Sequence, residues 1–238
     1  MPSNASDYPA ILITRPQPEA DALAERFRDR RVNVFVAPLF TIQPVEGAPL
    51  PPGDVLLLTS PRATRDLSPE VQKLPTITIG ASTAAAAKDA GLHVIAHGDG
   101  SSDTLPLHKL HEGAKVLHLS GEDIARDLRP IFEAHAIPYH RVVTYKAQRV
   151  ETLPTEATSF LRRDGAKTVT FFSVRAAEVF AQLVAEAGLD DRMRSVTAAC
   201  FGPRIAGAAR ASLPYRSVRE SEAGNVIRFV DFVSSGAS

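Results

Sequence analysis

Leu-Leu-Leu-Thr-Ser-Pro-Arg-Ala, at residues 56–63, recurs at residues 169–176 as Val-Thr-Phe-Phe-Ser-Val-Arg-Ala. Each copy is a β-prone apolar run that ends in a serine and an arginine, which is typical of a buried strand followed by a turn or helix. Each copy also precedes a second strand-like run that ends in glycine, Gly80 or Gly202, and then an Ala-rich segment. The repeat indicates that the chain contains two related halves.

Strand-like runs of this kind alternate along the chain with Ala- and Leu-rich segments of helical period. The alternation predicts an α/β fold with parallel sheets. Ten strands are predicted, at residues 10–14, 32–37, 54–59, 76–79, 93–96, 115–119, 139–145, 168–172, 196–201 and 215–218. Two β-prone segments, 38–44 and 142–147, occupy similar places after a strand-helix-strand unit, and as a pair they would form a double linker.

A fainter repeat links the start of the chain with its middle. Leu23 and Phe27 in the first predicted helix correspond to Leu128 and Phe132 in a later one. The chain therefore consists of two kinds of module in alternation. Two domains result either from a cut near Gly113 or from grouping the two central modules in one domain and the two outer modules in the other. Hydrophobic periodicity leaves both partitions open.

The composition is that of a globular protein with one large or two small domains, since the chain has 238 residues, 44% of them hydrophobic. Lys and Arg total 27, as do Asp and Glu, so the balanced charge favours neither a nucleic-acid partner nor a membrane surface. Cys200 is the only cysteine, which excludes an internal disulfide and favours a reducing compartment. Residues 1–9 lack a signal-peptide pattern, and no apolar run has the roughly 20 residues that cross a bilayer. We therefore expect a cytoplasmic protein.

Short motifs follow one another in order from about residue 10 to residue 230. They are Thr-Arg-Pro at 14–16, Ala-x-x-Leu-Ala-x-x-Phe at 20–27, Val-x-x-x-Pro-Leu at 34–39, Leu-Leu-Thr-Ser-Pro-Arg-Ala at 57–63, Ile-Gly-x-x-Thr-Ala at 79–84, Leu-x-Leu-Ser-Gly-Glu at 117–122, Val-x-Tyr-Lys-Ala at 143–147, Phe-Phe-Ser at 171–173 and Phe-Gly-Pro at 201–203. Each motif alone is weak, but their order and spacing are specific. In this combination the chain resembles the uroporphyrinogen-III synthase family.

The resemblance implies a particular arrangement of domains. Two similar parallel-sheet domains of flavodoxin/Rossmann-like type are joined by a two-stranded β linker, the first domain is discontinuous, and the active cleft lies between the domains. The outer domain then comprises residues 8–38 and 148–238, the inserted central domain residues 44–141, and the linker strands residues 38–44 and 141–147.

The resemblance also implies an activity. The expected enzyme is a lyase that converts hydroxymethylbilane to uroporphyrinogen III by dehydration, ring closure and inversion of the last pyrrole, in the tetrapyrrole and haem pathway. It needs no cofactor and no metal, and its partner is a small-molecule linear tetrapyrrole rather than a nucleic acid or a membrane. We expect a monomer that makes transient contact with the preceding enzyme of the pathway.

Tyr145 is the residue that we single out for catalysis, because by the resemblance it occupies the position of the family's cleft-facing tyrosine. The reaction begins with loss of a hydroxyl group, which leaves more readily as water when an acid protonates it. A phenol is protonated at neutral pH and can donate that proton. The alternative is a half-buried strand tyrosine that serves packing and whose hydroxyl meets water.

The substrate carries many carboxylates, and the ends of parallel strands supply groups that bind anions. Free N–H groups and the helix dipole favour anions where a strand ends and the next helix begins. The candidate binding residues at such junctions are Arg15, Ser60, Arg62, Gly80, Ser82, Thr83, Ser120, Gly121, Ser173, Arg175, Gly202 and Arg204. Ser60 and Ser173 could instead serve only as helix caps, and Gly80 and Gly202 only for close packing.

Other features favour ordinary structural roles. Glu122 and Asp123 are expected in the first turn of a helix, where they favour its dipole and would repel an anionic substrate. Cys200 is expected to be a buried, unreactive thiol. The seven histidines are scattered without carboxylate or thiol partners in register, which argues against a metal site. The loop after Pro203 departs from the family pattern, since Arg204 and Ile205 stand where threonines are common.

Two other classes of function compete with the enzyme. Two α/β lobes around a cleft also describe a non-catalytic, regulatory protein that binds a tetrapyrrole or a small anion. A nucleotide-dependent enzyme is less favoured, because the sequence has neither Gly-x-Gly-x-x-Gly nor a Gly-Lys-Ser/Thr phosphate loop.

Overall fold

The computed structural model describes residues 8–45, 47, 50–221 and 226–235. These residues form two compact units. The first unit contains the described residues of Met1–Thr41 and Gln148–Ser238, and the second consists of those in Ile42–Ala147. The chain therefore passes twice from one unit to the other. None of the described helices has both the length and the apolar character needed to cross a membrane.

Strands and short helices alternate in both units. The strands are β1 (Ala10–Ile13), β2 (Asn33–Val36), β3 (Phe40–Pro44), β4 (Val55–Leu58), β5 (Thr76–Thr78), β6 (Val94–His97), β7 (Val116–Gly121), β8 (Tyr139–Arg149), β9 (Lys167–Phe171), β10 (Val196–Cys200) and β11 (Ser217–Glu220). The helices are α1 (Glu19–Glu25), α2 (Pro69–Gln72), α3 (Ala81–Asp89), α4 (Arg129–Ala134), α5 (Thr155–Arg162), α6 (Val174–Glu186), α7 (Pro203–Ser212) and α8 (Val226–Ser235). Each of the ten predicted strands overlaps one of these strands, and the two linker candidates overlap β3 and β8. The predicted α/β class is confirmed.

The first unit is built on five strands in the order β11-β10-β9-β1-β2, and all of its neighbouring strands are parallel. β1 is buried along its whole length, which is typical of a parallel strand covered on both faces. Ile11 and Ile13 face a cluster with Leu23 and Phe27 of the α1 region and with Phe229 of α8. Leu23 and Phe27 are four residues apart because both lie on the face of the α1 region that packs against the sheet.

The second unit is built on six strands in the order β3-β8-β7-β4-β5-β6. The pairs β4–β5, β4–β7, β5–β6 and β7–β8 are parallel. Alternate residues of the central strands lie on opposite faces: Leu56 and Leu58 pack in one apolar cluster, whereas Val55 and Leu57 pack in another. This two-sided burial accounts for a strand made entirely of apolar residues.

The two sheets repeat one arrangement. In the second unit the strands β6-β5-β4 stand next to β7-β8, just as β11-β10-β9 stand next to β1-β2 in the first unit. The repeated serine motif follows β4 in one unit and β9 in the other, so the duplication inferred from the sequence corresponds to equivalent strands. The two modules follow opposite orders along the chain: β1-β2 precede β9-β10-β11 in the first unit, whereas their counterparts β7-β8 follow β4-β5-β6 in the second.

One local prediction was wrong. Glu122 and Asp123 lie in a non-helical segment after β7, and α4 begins only at Arg129. A proline at Pro130 suits the first turn of a helix but not its interior, and the Asp127 carboxylate accepts the Arg129 N–H at 3.0 Å. The helix start is therefore set by the Asp127–Pro130 signal rather than by the two acidic residues.

The buried Lys167 stabilises the first unit by hydrogen bonds to the end of α5. Its side chain is 5% exposed, and its ammonium group donates to the carbonyl oxygens of Leu161 at 3.0 Å and Arg163 at 2.6 Å, at the end of α5. Lys167→Met removes these hydrogen bonds and leaves carbonyls without a donor, which we expect to lower the free energy of unfolding by about 1–3 kcal/mol. Urea unfolding measures the change, with the exposed Lys115→Met as control. Equal effects of the two substitutions would contradict the role of Lys167.

Candidate functional site

A cavity of about 320 Å³ lies within the second unit at the carboxyl ends of its strands. Its lining consists of Thr59, Ser60, Ile79, Gly100, Ser102, His118, Gly121, Asp123, Ile124, Ala125, Arg126, Leu128 and Tyr145. The volume is at the lower end of the range for small-molecule sites. The carboxyl edge of a parallel sheet is also where such folds bind their ligands.

Tyr145 lines this cavity and lies across Gly121 of the neighbouring strand. A Cβ atom at Gly121 would be 2.6 Å from Cε2 and 2.8 Å from Cζ of the Tyr145 ring. The pairing of β7 with β8 changes register between Ser120 and Gly121, which places Tyr145 opposite Gly121. The Tyr145 carbonyl accepts the Glu122 N–H at 2.9 Å. A glycine and a strand irregularity therefore fix the ring at the cavity wall.

Ser120 is a predicted binding residue that the structure places in a buried hydrogen-bond network. Arg141 donates from Nε to the Ser120 hydroxyl at 2.8 Å and from Nη2 to the carbonyls of Gly121 at 2.7 Å and Glu122 at 2.8 Å. Ser120 is 1% exposed and is not among the cavity-lining residues. Its hydroxyl therefore orients Arg141 and the end of β7.

His118 is a buried histidine at the cavity floor. Its Nε2 lies 3.0 Å from the Thr59 hydroxyl, and its Nδ1 lies 2.6 Å from the Tyr139 hydroxyl. Burial, and secondarily the charge of Arg141, lower the pKa of His118 to about 4, although Asp127 acts in the opposite direction. The imidazole is therefore neutral at physiological pH.

The other predicted residues of the second unit differ in accessibility. Ser60 lines the cavity, and its hydroxyl accepts the Arg62 N–H at 3.3 Å, which is the capping role considered from the sequence. Gly80 begins α3 with extended backbone and lies against Gly100, 3.0 Å from where its Cβ would be. Ser82 is exposed on α3, whereas Thr83 is 2% exposed and packs inside. Arg62 lies next to Ser60 and is partly buried.

Two loops are bridged at the cavity by a residue that was not predicted. Arg126 donates from Nη1 to the Asp103 carboxylate at 2.6 Å and to the Ser102 hydroxyl at 2.9 Å. Arg126 lies in the segment that was expected to be helical, and Ser102 lies in the loop after β6. Both the Arg126 and the Asp103 side chains remain more than half exposed, so the bridge is accessible to a competing anion.

The carboxyl edge of the first sheet carries the remaining predicted residues. Ser173 caps α6 by accepting the Ala176 N–H at 3.1 Å. The Arg15 guanidinium lies 4.4 Å from the centre of the Phe172 ring, which follows β9. Arg175 lies similarly over a ring, 4.8 Å from the centre of Phe40. Cation–π contact of this kind orients a guanidinium without neutralising its charge.

Gly202 and Arg204 stand at the start of α7. Gly202 has a φ of 121°, a conformation that favours glycine, and forms the N-terminal boundary of the helix. Arg204 is exposed in the first turn, whereas Ile205 is buried in the core. Of the two residues that depart from the family pattern, only Arg204 is therefore placed to meet a ligand.

Metal and thiol chemistry have little support in the described part of the chain. Among those residues, no group of three or more His, Cys, Asp and Glu side chains is arranged to hold a metal ion. Cys200 is fully buried, as predicted, and burial raises the pKa of its thiol to about 12. The thiol is therefore protonated, and a thiol is a poor nucleophile in that form.

Several cavity residues were not predicted from the sequence. Thr59 precedes the predicted Ser60 and could have been found from its place at the strand end. His118 is a polar residue within an otherwise apolar strand, and a polar residue in such a place is the sequence signal for a buried functional group. Asp123 and Arg126 could not be placed, because the segment that carries them was predicted as helix.

The fold and the cavity define a two-unit α/β protein with a cavity of small-molecule size at the carboxyl edge of a parallel sheet. A family model described as uroporphyrinogen-III synthase HemD matches residues 21–223. The chain belongs to the uroporphyrinogen-III synthase family. Its activity is therefore the synthesis of uroporphyrinogen III in tetrapyrrole biosynthesis, and the predicted family and activity are confirmed.

A solved structure from Helicobacter pylori shares the fold. A uroporphyrinogen-III synthetase from Helicobacter pylori is 17% identical, aligns over 95% of this chain and 99% of its own length, and has a TM-score of 0.65. A mutant uroporphyrinogen III synthase from Thermus thermophilus is 18% identical over 96% of this chain and 98% of its own, with a TM-score of 0.49. No curated protein matches the sequence.

The buried neutral state of His118 predicts a specific pH dependence of stability. Its pKa is about 4 in the folded chain and 6.5 for an ordinary histidine, so below pH 6.5 the unfolded state binds a proton that the folded state does not. The contribution of neutral His118 to the free energy of unfolding is fully present above pH 6.5. It decreases by roughly 3 kcal/mol as the pH falls to 4.

His118→Gln should remove this part of the pH dependence. Urea unfolding at pH 7.0, 5.5 and 4.5 measures how the free energy of unfolding changes with pH in His118→Gln and in the unsubstituted protein. A substitution of the exposed His140, His140→Gln, serves as the control. Identical slopes for His118→Gln and the unsubstituted protein would show that His118 is not buried in its neutral form.

Proposed function

We propose that the chain converts hydroxymethylbilane to uroporphyrinogen III with Tyr145 as the general acid. The observation that carries this proposal is the position of the Tyr145 phenol at the wall of a cavity on the carboxyl edge of the second sheet. Tyr145 donates its proton to the terminal hydroxyl of the substrate, the carbon–oxygen bond breaks and water leaves. The proton lost when the last ring regains aromaticity returns to the phenolate and restores the acid.

Geometry, rather than acid–base chemistry, selects the product. The cation left by dehydration is attacked by the substituted carbon of the last pyrrole, and the resulting spiro intermediate rearranges with that ring inverted. The binding site therefore has to hold the substrate so that the inverting attack is the nearest one, which is a proximity effect. A cavity of about 320 Å³ is too small for four pyrroles, so it accommodates the end of the linear tetrapyrrole that carries the leaving hydroxyl.

Carboxylates of the substrate bind to donors at the strand ends. In the second unit the candidates are Ser60, Arg62, Gly80, Ser82 and Gly121, and Arg126 joins them because a substrate carboxylate can replace Asp103 as its partner. Thr83 and Ser120 are dropped from the set because both side chains are buried. In the first unit the candidates are Arg15, Ser173, Arg175, Gly202 and Arg204, each at the carboxyl edge of its sheet.

The same proposal covers the domains and the cellular setting. The outer domain spans residues 8–38 and 148–238, the central domain residues 44–141, and residues 38–44 and 141–147 link them. The passages between units at residues 41 and 147 fall within those linkers and support these limits. The single cysteine supports a reducing compartment such as the cytoplasm. The family resemblance supports a monomer that contacts the preceding pathway enzyme transiently.

Identifying the isomer formed from hydroxymethylbilane, and the rate of its formation, tests both the enzymatic function and the role of Tyr145 as the general acid. The purified protein should yield uroporphyrinogen III, whereas the spontaneous product is the uninverted isomer I. Tyr145→Phe should lower kcat by about 10-fold to 100-fold, at or below the lower end of the range for general acids, because the cation forms readily. The isomer ratio should stay near type III, since folding of the substrate does not depend on the phenol.

Chromatographic separation of the two isomers measures both results. Only isomer I from the unsubstituted protein would overturn the enzymatic function and favour a regulatory binding protein. An unchanged kcat in Tyr145→Phe would remove Tyr145 as the acid while leaving the function intact.

Gly121→Ala tests whether the position of the Tyr145 ring matters. The added methyl would lie 2.6–3.0 Å from three atoms of the side chain, so the ring has to move. A shift of this kind should lower kcat by about 10-fold or more. In a Tyr145→Phe background the substitution should cost little further activity, because the phenol is already absent.

Gly207→Ala is the matched control, since a Cβ at Gly207 meets no atom within 4 Å. Steady-state kinetics on the unsubstituted protein, the two single variants, the double variant and the Gly207→Ala control gives the comparison. Full activity in Gly121→Ala would show that the ring position seen here is not required for turnover.

A further inference from the structure

Three side chains form a hydrogen-bonded row that runs from the core of the second unit to its cavity. Tyr139 stacks on Phe132 with ring centres 4.6 Å apart, and its hydroxyl lies 2.6 Å from His118 Nδ1. On the other side of the imidazole, Nε2 lies 3.0 Å from the Thr59 hydroxyl. Thr59 and His118 line the cavity, so the row ends at the surface that a ligand meets.

The direction of these hydrogen bonds determines what Thr59 can offer to a ligand. His118 is neutral because burial and the nearby Arg141 lower its pKa to about 4, so the ring carries a single N–H. In one arrangement Tyr139 donates to Nδ1 and Nε2–H donates to Thr59. In the reverse arrangement Thr59 donates to Nε2 and Nδ1–H donates to Tyr139.

The chemistry of the two hydroxyls favours the first arrangement. A phenol is more acidic than an aliphatic alcohol, which makes Tyr139 the stronger donor and Thr59 the better acceptor. The distances agree with this assignment. The 2.6 Å contact is short, as expected when an O–H donates, whereas 3.0 Å is the usual length when an N–H donates.

Thr59 therefore receives a hydrogen bond from His118 and keeps its own O–H for the cavity. We propose that Thr59 binds a carboxylate of the substrate as a hydrogen-bond donor, and that His118 and Tyr139 are positioning residues that fix its hydroxyl in that role. This inference rests on the proposed function, since it assigns a further contact within the same site.

The protonated nitrogen of His118 can be observed directly. A long-range proton–nitrogen NMR spectrum of the ¹⁵N-labelled protein at pH 7 separates the two neutral forms of each histidine. The His118 signals are those missing from His118→Gln. We expect a proton on Nε2 and none on Nδ1. A proton on Nδ1 would overturn the proposal, and this measurement does not depend on any variant of Thr59 folding.

Kinetics with hydroxymethylbilane tests the contact with the ligand. Thr59→Val should raise KM about tenfold with kcat within about twofold, because a hydrogen bond to a charged group is lost. Thr59→Ser keeps the hydroxyl and should restore KM. Thr197→Val in the first unit is the control and should leave both constants unchanged.

A double variant, His118→Leu with Tyr139→Phe, tests the row itself. It removes the ring and the phenolic hydroxyl together, so neither is left buried without a partner. Thr59 loses its fixed orientation, and KM should rise about threefold, without further increase when Thr59 is already valine. If Thr59 instead donated to His118, the double variant would free its hydroxyl and lower KM, and this opposite sign would overturn the proposal.

The failure of this inference is distinct from a failure of the proposed function. If the unsubstituted protein forms uroporphyrinogen III but Thr59→Val leaves KM unchanged, only the role of Thr59 is wrong. If the unsubstituted protein forms only isomer I, the function and this inference are both overturned.

Discussion

The parallel pairing of β4 with β7 is the interaction on which the second unit's site depends. It aligns Leu58, the last residue of β4, with Leu119, two residues before the end of β7, so the polar residues that follow β4 lie alongside the polar end of β7. Thr59 and Ser60 at the end of β4 thus stand beside the end of β7. The pairing of β1 with β9 has the same effect in the first unit. Since side chains pack on both faces of each sheet, the carboxyl edge is where polar groups remain available.

The polar groups beneath the cavity carry little free charge. His118 is neutral because it is buried, and burial raises the pKa of Tyr139 to about 12, so its phenol keeps its proton. The charge of Arg141 is directed at two backbone carbonyls and the Ser120 hydroxyl. A network of this kind is rigid because each of these groups has a partner. It can therefore fix the direction of a hydrogen bond at the cavity wall.

This arrangement reconciles an anionic substrate with a protein of no net charge. In the proposed binding mode, carboxylates are met by oriented N–H and O–H groups at strand ends and by a few arginines, which need no basic surface. Asp123 at the cavity wall and Asp103, which pairs with the cavity residue Arg126, add negative charge. A carboxylate that displaces Asp103 exchanges one ion pair for another. Binding at this position therefore depends on geometry more than on net attraction.

The sequence by itself determined the α/β class, the ten main strands and the duplication, because these follow from apolar periodicity and from a repeated motif. It also identified the family, and with it Tyr145 as the candidate acid. Sequence periodicity left the grouping of modules open, since each module has the same local pattern in either partition. The structure groups the outer modules in one unit through the pairing of β1 with β9, two strands far apart in the chain.

The tertiary structure alone decided which polar residues meet one another. Thr59, His118 and Tyr139 belong to three neighbouring strands, so no local spacing links them. The composition of the segment with Asp123 and Arg126 predicts a helix, but the Asp127 carboxylate, which accepts the Arg129 N–H, and Pro130 place the start of the helix at Arg129. Burial decides the rest, because it selects the protonation state of His118 and removes Ser120 from the cavity surface, and burial depends on contacts between distant parts of the chain.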